Sequence, residues 1–209
     1  LNGVTIDSAA TKQITLTTLN NFAVRSLLLS PSAAAHGYLH SLSLRVAQDA
    51  VWLAGSIAGS SATIINSPSS ATFTLNFAAP YSFLNAGGQP SVFVNNATFD
   101  SIGAGAATLQ FAFQNNDNAT LRASGSGLVY FAGGGYNNGT ATFGPAATVQ
   151  LGGVFSLLPN STFAGSGKAI LSGTVNVDSL FNVSGSTEVS DGQTNFNLDA
   201  TLANFGNPL

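Results

Sequence analysis

Five Asn-x-Ser/Thr triplets divide the chain between Asn96 and Ser184 at near-equal intervals. They begin at Asn96, Asn118, Asn138, Asn160 and Asn182, in steps of 22, 20, 22 and 22 residues. A chain this rich in Asn, Ser and Thr yields several such triplets by chance, but chance does not space them evenly. A fixed period near 22 marks a repeat architecture in which each unit packs mainly on its neighbours. The surrounding phrases repeat too: Asn96-Ala-Thr-Phe, Asn118-Ala-Thr-Leu, Asn138-Gly-Thr-Ala and Asn160-Ser-Thr-Phe. A glycine-rich turn follows each (Gly103 and Gly105; Gly125 and Gly127; Gly144; Gly165 and Gly167), and then a second apolar run.

Within these units apolar and polar residues alternate. Leu109, Phe111 and Phe113 are separated by Gln110 and Ala112; Val149 and Leu151 flank Gln150; Val175 and Val177 flank Asn176. That period of two sends apolar side chains to one face of a strand and polar ones to the other. Gly and Asn interrupt every window after Ser60, and both disfavour a helix interior. Earlier in the chain, Val4-Thr-Ile6 and Ile14-Thr-Leu16 alternate, and Phe22 to Leu29 reads as one strand closed by Ser30-Pro31. Ser32 to Gly59 is ambiguous. Leu42-Ser-Leu44-Arg-Val46 alternates as a strand, whereas Val46, Ala47, Ala50, Val51 and Ala54 also fit a short amphipathic helix; strand is the reading adopted. Trp52 in this segment reads as core or cap. Ser70-Ala-Thr-Phe73 repeats the later phrase without the asparagine, and Asn85 to Pro90 is a turn.

The expected fold is all-β: a right-handed parallel β-helix with coils of about 22 residues and three sheets joined by turns. A coil of this length exceeds that of the left-handed hexapeptide type, and a β-sandwich, the alternative, does not by itself give a 22-residue period. One domain covers 1–209, with less regular coils or a cap over 1–59 and regular coils over 60–205. The Gly/Asn/Thr-rich coils, most clearly Gly165-Ser-Gly-Lys-Ala-Ile-Leu-Ser-Gly-Thr-Val-Asn-Val177, resemble those of the pectate-lyase-like right-handed β-helix superfamily of secreted and cell-surface proteins. The resemblance spans about Ser60 to Leu202 and implies a fold rather than a particular activity.

Charged residues make up 6% of the chain and the net charge is −3. That supplies neither a basic footprint for nucleic acid nor a polybasic membrane face, and no apolar run is long enough for a membrane span. With 44% hydrophobic residues, disorder is not expected either. Without cysteine there is no disulfide framework. The chain begins at Leu1 without Met or a signal-like segment, so it reads as a mature chain or an excised piece of a longer one.

The superfamily includes polysaccharide lyases and hydrolases, so the resemblance raises an enzyme as one alternative. Glycoside hydrolysis needs two carboxyl groups across a cleft. The densest acids are Asp178, Glu188, Asp191 and Asp199, which read as solvated turn residues, and the five cations Lys12, Arg25, Arg45, Arg122 and Lys168 are scattered. Asn-Thr-Asp, Asp-Asp and Gly-His-Gly motifs are lacking. His36 and His40 have a spacing that shares a face, but no Asp, Glu or Cys adjoins them as a metal site needs. No catalytic residue, metal ligand or cofactor is expected.

The asparagine column admits three readings. Asn can simply occupy left-handed turn positions, which it tolerates, stacked Asn then bonding from coil to coil. Asn96, Asn118, Asn138, Asn160 and Asn182 can instead carry N-linked glycans in a eukaryotic secretory pathway, which would help to solubilise a sparsely charged surface. Thirdly, the hydroxyls of Thr98, Thr120, Thr140, Thr162 and Ser184 could form a flat ice- or carbohydrate-binding array. Glycosylation is the reading adopted. The function expected is then a non-enzymatic, extracellular structural glycoprotein, a segment or subunit of a fibre, sheath or adhesin that self-associates end to end. A carbohydrate-active β-helix enzyme or an ice- or carbohydrate-binding module are the alternatives.

Overall fold

The computed structural model describes residues 43–208 and, before them, the backbone of five strands: Val4–Ser8, Ile14–Thr17, Phe22–Val24, Leu27–Pro31 and His36–His40. Among the described residues there is no helix, and every strand pairing is parallel. The chain winds as a parallel β-solenoid whose coils each place strands on three faces, here called sheets A, B and C. Among the described residues sheet A has ten strands, the first two Val4–Ser8 and Leu27–Pro31 and the last two Leu180–Val183 and Thr201–Asn204. Sheets B and C merge late in the chain, where Lys168–Val177 and Ser186–Phe196 each run through the bend between them as one strand, with a register shift between Leu171 and Gly173.

Along sheet A the inward residues Ala50, Phe73, Phe99, Leu121, Ala141, Phe163, Phe181 and Leu202 stand in register, giving coils of 23, 26, 22, 20, 22, 18 and 21 residues. The expected period of about 22 is the mean of a variable repeat. Side-chain alternation fills the interior. Phe93, Phe113 and Phe155 line sheet C, while Phe83, Leu109, Phe131 and Leu151 line sheet B, all buried. Where sheet C offers only Gly135, the ring of Phe131 from the same coil lies 4.5 Å from Phe113 and 5.8 Å from Phe155. One large side chain thus covers for a missing one, as close packing requires.

The ambiguous segment up to Gly59 is strand over its described residues: Ser43–Val46, Asp49–Trp52 and Ser56–Ser60. Val46 and Ala50, which suggested one helix face, point inward from two different sheets. Trp52 is fully buried, edge-on to Phe77 and Phe83, with its indole N–H on the Ala54 carbonyl at 2.8 Å. The run expected as one strand from Phe22 to Leu29 is two, Phe22–Val24 in sheet C and Leu27–Pro31 in sheet A. Leu109 to Phe113 likewise turns a corner between sheets, and Phe111 at that corner is buried. Alternation therefore marks the inward rank but does not show where a coil turns.

The glycine-rich turns form the corner from sheet A to sheet B. Successive coils approach so closely there that a Cβ on Gly125 would overlap the Gly103 carbonyl, and one on Gly127 the Gly105 carbonyl. Only glycine permits backbone to stack on backbone at that separation.

Candidate functional site at the corner between sheets C and A

Four of the five asparagines that repeat in the sequence gather where sheet C hands the chain to sheet A, and from Asn95 onward this corner has a regular alternation. Two residues join Asn95 to Thr98, four join Asn115 to Thr120, two join Asn137 to Thr140 and four join Leu157 to Thr162. Two again join Val177 to Leu180, and four join Phe196 to Thr201. Each four-residue corner is closed by a bond from its last N–H to its first carbonyl, at 3.1 Å from Ala119 to Asn116, from Ser161 to Leu158 and from Ala200 to Asn197.

This alternation sorts the five asparagines. Asn118 and Asn160 are exposed and left-handed, with φ of 61° and 67°, at the third residue of the long corners. Pro159 precedes Asn160, the residue pair that a turn with positive φ at its third position favours. Asn96 and Asn138 open the short corners and are half-buried. Their N–H groups continue the inter-coil ladder, donating to the Asn66 and Asn115 carbonyls at 2.9 and 2.8 Å. The Asn96 side-chain oxygen accepts from Asn116 Nδ2, and Asn116 Oδ1 accepts from the Tyr136 hydroxyl at 2.6 Å.

Asn182 does not belong to this column. The coil before it spans only 18 residues, from Phe163 to Phe181, so Asn182 falls on the outer face of sheet A in register with Ala164. Asp178 stands at the short-corner position instead, and the 22-residue step from Asn160 crosses from one feature to another.

The bonding from coil to coil expected of the triplet asparagines is made chiefly by other residues. Asn66, Asn95, Asn115 and Asn137, the last residues of their sheet C strands, are buried and in register. Each Nδ2 donates to the next Oδ1, at 2.8, 2.7 and 2.7 Å. Val46 and Leu157 occupy the same rank at the two ends, so Asn66 Oδ1 has no donor, while Asn137 Nδ2 turns to the Gly139 and Thr162 carbonyls. The signal was present in the sequence as the residue before Asn96 and Asn138.

On the outer face of sheet A, Thr72, Thr98, Thr120, Thr140 and Thr162 form one rank in register. Thr72 extends the expected array at one end, and Leu180 rather than Ser184 follows Thr162. The neighbouring rank holds Thr74, Asp100, Arg122, Thr142 and Ala164, so an ion pair interrupts it. Arg122 Nε and Nη2 both donate to Asp100 Oδ2, the former at 2.9 Å, and Ser124 Oγ donates to Oδ1 at 3.1 Å. The hydrogen bond to Asp100 and then the Asp100 charge raise the Arg122 pKa above its ordinary value, with burial acting against them. A shallow groove beside the pair is lined by Ser124, Thr142 and Gly144. Arg122 reads as a scattered cation in the sequence, and Asp100 attracts no notice there, because the two are neighbours only through the coil period.

Of the four acids singled out, Glu188 pairs with Lys168 at 2.6 Å. Asp191 and Asp199 are exposed, and Asp178 and Asp199 lie in successive C-to-A corners. His36 and His40 share the strand His36–His40, and their side chains lie outside the described residues, as do Lys12 and Arg25. These features define a parallel β-solenoid with a polar, asparagine-lined corner. Compared with protein-family models, curated protein sequences and solved structures, the chain gives no match.

Proposed function

We propose that this chain is a non-enzymatic structural element of an extracellular assembly, a segment or subunit of a fibre, sheath or adhesin, with N-linked glycans along its C-to-A corner. The carrying observation is the open C-terminal face of the coil stack. Leu171, Val177 and Phe181 are all but completely buried, at 1%, 0% and 0% exposure. Their register partners one coil later, Val189, Phe196 and Leu202, are 46%, 41% and 52% exposed. In the same coil two buried hydroxyls, Thr187 Oγ1 and Thr194 Oγ1, lack partners. Another parallel coil laid on this face, from continuing chain or from a second molecule, would bury the apolar ranks and pair the free strand edges, which otherwise invite association. Membership of the pectate-lyase-like superfamily is part of the proposal, supported by the three-sheet coil. Extracellular placement is supported by the sparse charge and the exposed Asn-x-Thr triplets.

Sedimentation velocity across micromolar concentrations tests assembly. The expected result is concentration-dependent species larger than the monomer, lost in a Val189→Lys/Leu202→Lys variant. Monomer at every concentration would remove the support for association through this face. A second reading, a binding face for ice or an extended polysaccharide, is favoured by the threonine rank on sheet A. It predicts thermal hysteresis or polysaccharide pull-down that disappears on Thr120→Leu/Thr140→Leu substitution.

A further inference from the structure

We propose that the corner alternation selects among the asparagines: in the folded, secreted protein Asn118 and Asn160 carry the glycans, while Asn96 and Asn138 remain largely bare. The inference rests on the secretory-glycoprotein reading and assigns its modification to two positions.

Three observations carry it. Asn118 and Asn160 stand exposed at the left-handed tips of four-residue corners, whereas Asn96 and Asn138 are half-buried in two-residue corners. The Asn118 side chain bonds only locally, Nδ2 to Asp117 Oδ2 at 3.0 Å, so its amide can swing outward with an attached sugar. By contrast Asn96 is held by its coil neighbour: its Oδ1 accepts from Asn116, which in turn accepts from Tyr136. That row ties the Asn96 amide to the two following coils. Asn138 follows Asn137, the register partner of Asn115, and its N–H is held by the Asn115 carbonyl at 2.8 Å.

Spacing supplies the third argument. Successive coils lie about 4.8 Å apart, so glycans on all four corner asparagines would be packed at that interval. Asn118 and Asn160 are separated by the short-corner coil that holds Asn138, which sets them about 9.6 Å apart, twice the strand spacing. A glycan on Asn138 would have to stand between the other two. Transfer acts on the extended chain, so the selection operates during folding: chains modified at the half-buried short corners crowd the neighbouring coils and sugars, and fold in lower yield.

The test is secretion of the chain from a eukaryotic host, followed by site-resolved mass spectrometry of the folded protein after enzymatic deglycosylation in heavy-oxygen water. Occupancy at Asn118 and Asn160 is expected to exceed that at Asn96 and Asn138 severalfold. An Asn118→Gly/Asn160→Gly variant, which keeps left-handed turns at both tips, should lose most of the corner-borne glycan mass. Equal or greater occupancy at Asn96 and Asn138 overturns the selection while leaving the glycoprotein reading intact. Bare peptides at all five asparagines overturn both.

Discussion

The buried asparagine ladder permits a sharp prediction because its members differ in what their removal strands. The Asn95 side chain is fully buried: Oδ1 accepts from Asn66 Nδ2 at 2.8 Å, and Nδ2 donates to Asn115 Oδ1 at 2.7 Å and to the Thr120 carbonyl at 3.0 Å. Asn95→Leu fits in shape, since Leu157 already occupies the same rank, fully buried, beside Asn137. Yet it leaves Asn115 Oδ1 without a donor and one Asn66 N–H without an acceptor. At about 1–3 kcal/mol for each stranded buried group, the cost is about 2–6 kcal/mol. Asn66→Leu differs. It removes Asn66 Oδ1, which already lacks a partner, and strands Asn95 Oδ1 in exchange. The number of unpaired groups is unchanged, so the expected loss stays below about 1.5 kcal/mol, the net worth of one ordinary hydrogen bond. Urea unfolding followed by circular dichroism measures both, a shift of midpoint at constant slope reporting stability. If Asn66→Leu destabilises as much as Asn95→Leu, the ladder does not act through satisfied polar groups and the reasoning fails.

Other perturbations follow from the same geometry. Gly135 has φ of 132° and a Cβ there would overlap the Phe113 carbonyl, while Gly87 has φ of 94° with nothing within 4 Å of a Cβ. Gly87→Ala should therefore cost only backbone strain, of order 1–3 kcal/mol, and Gly135→Ala clearly more, read as the larger fall in melting temperature. Removing the half-exposed Arg122 leaves the buried Asp100 carboxylate with Ser124 alone; Arg122→Met should cost about 1–3 kcal/mol, and Asp100→Leu/Arg122→Met should recover part of it. Phe113→Ala, in the aromatic column between Phe93 and Phe131, should cost about 3–5 kcal/mol by opening a cavity, measured by the same urea titration.

The architecture was legible because a solenoid writes its period into the chain. Recurring phrases and apolar alternation determined the all-β coils, the inward ranks and the glycine corners, each of which depends on residues close in sequence. What sequence could not supply was register between coils. Corner lengths of two, four and five residues and coils of 18 to 26 residues shift the pairing, as the steps from Phe163 to Phe181 and from Phe73 to Phe99 show. That register decides that Asn95 rather than Asn96 enters the core, that Asp100 meets Arg122, and that Asn182 leaves the column for the face of sheet A. Side-chain direction reverses with each residue along a strand, so a displacement of one position exchanges a buried hydrogen-bonding amide for one at the surface. Local composition therefore determined that asparagine would stack along this corner, and only the tertiary register decided which asparagines hold the coils together and which face solvent.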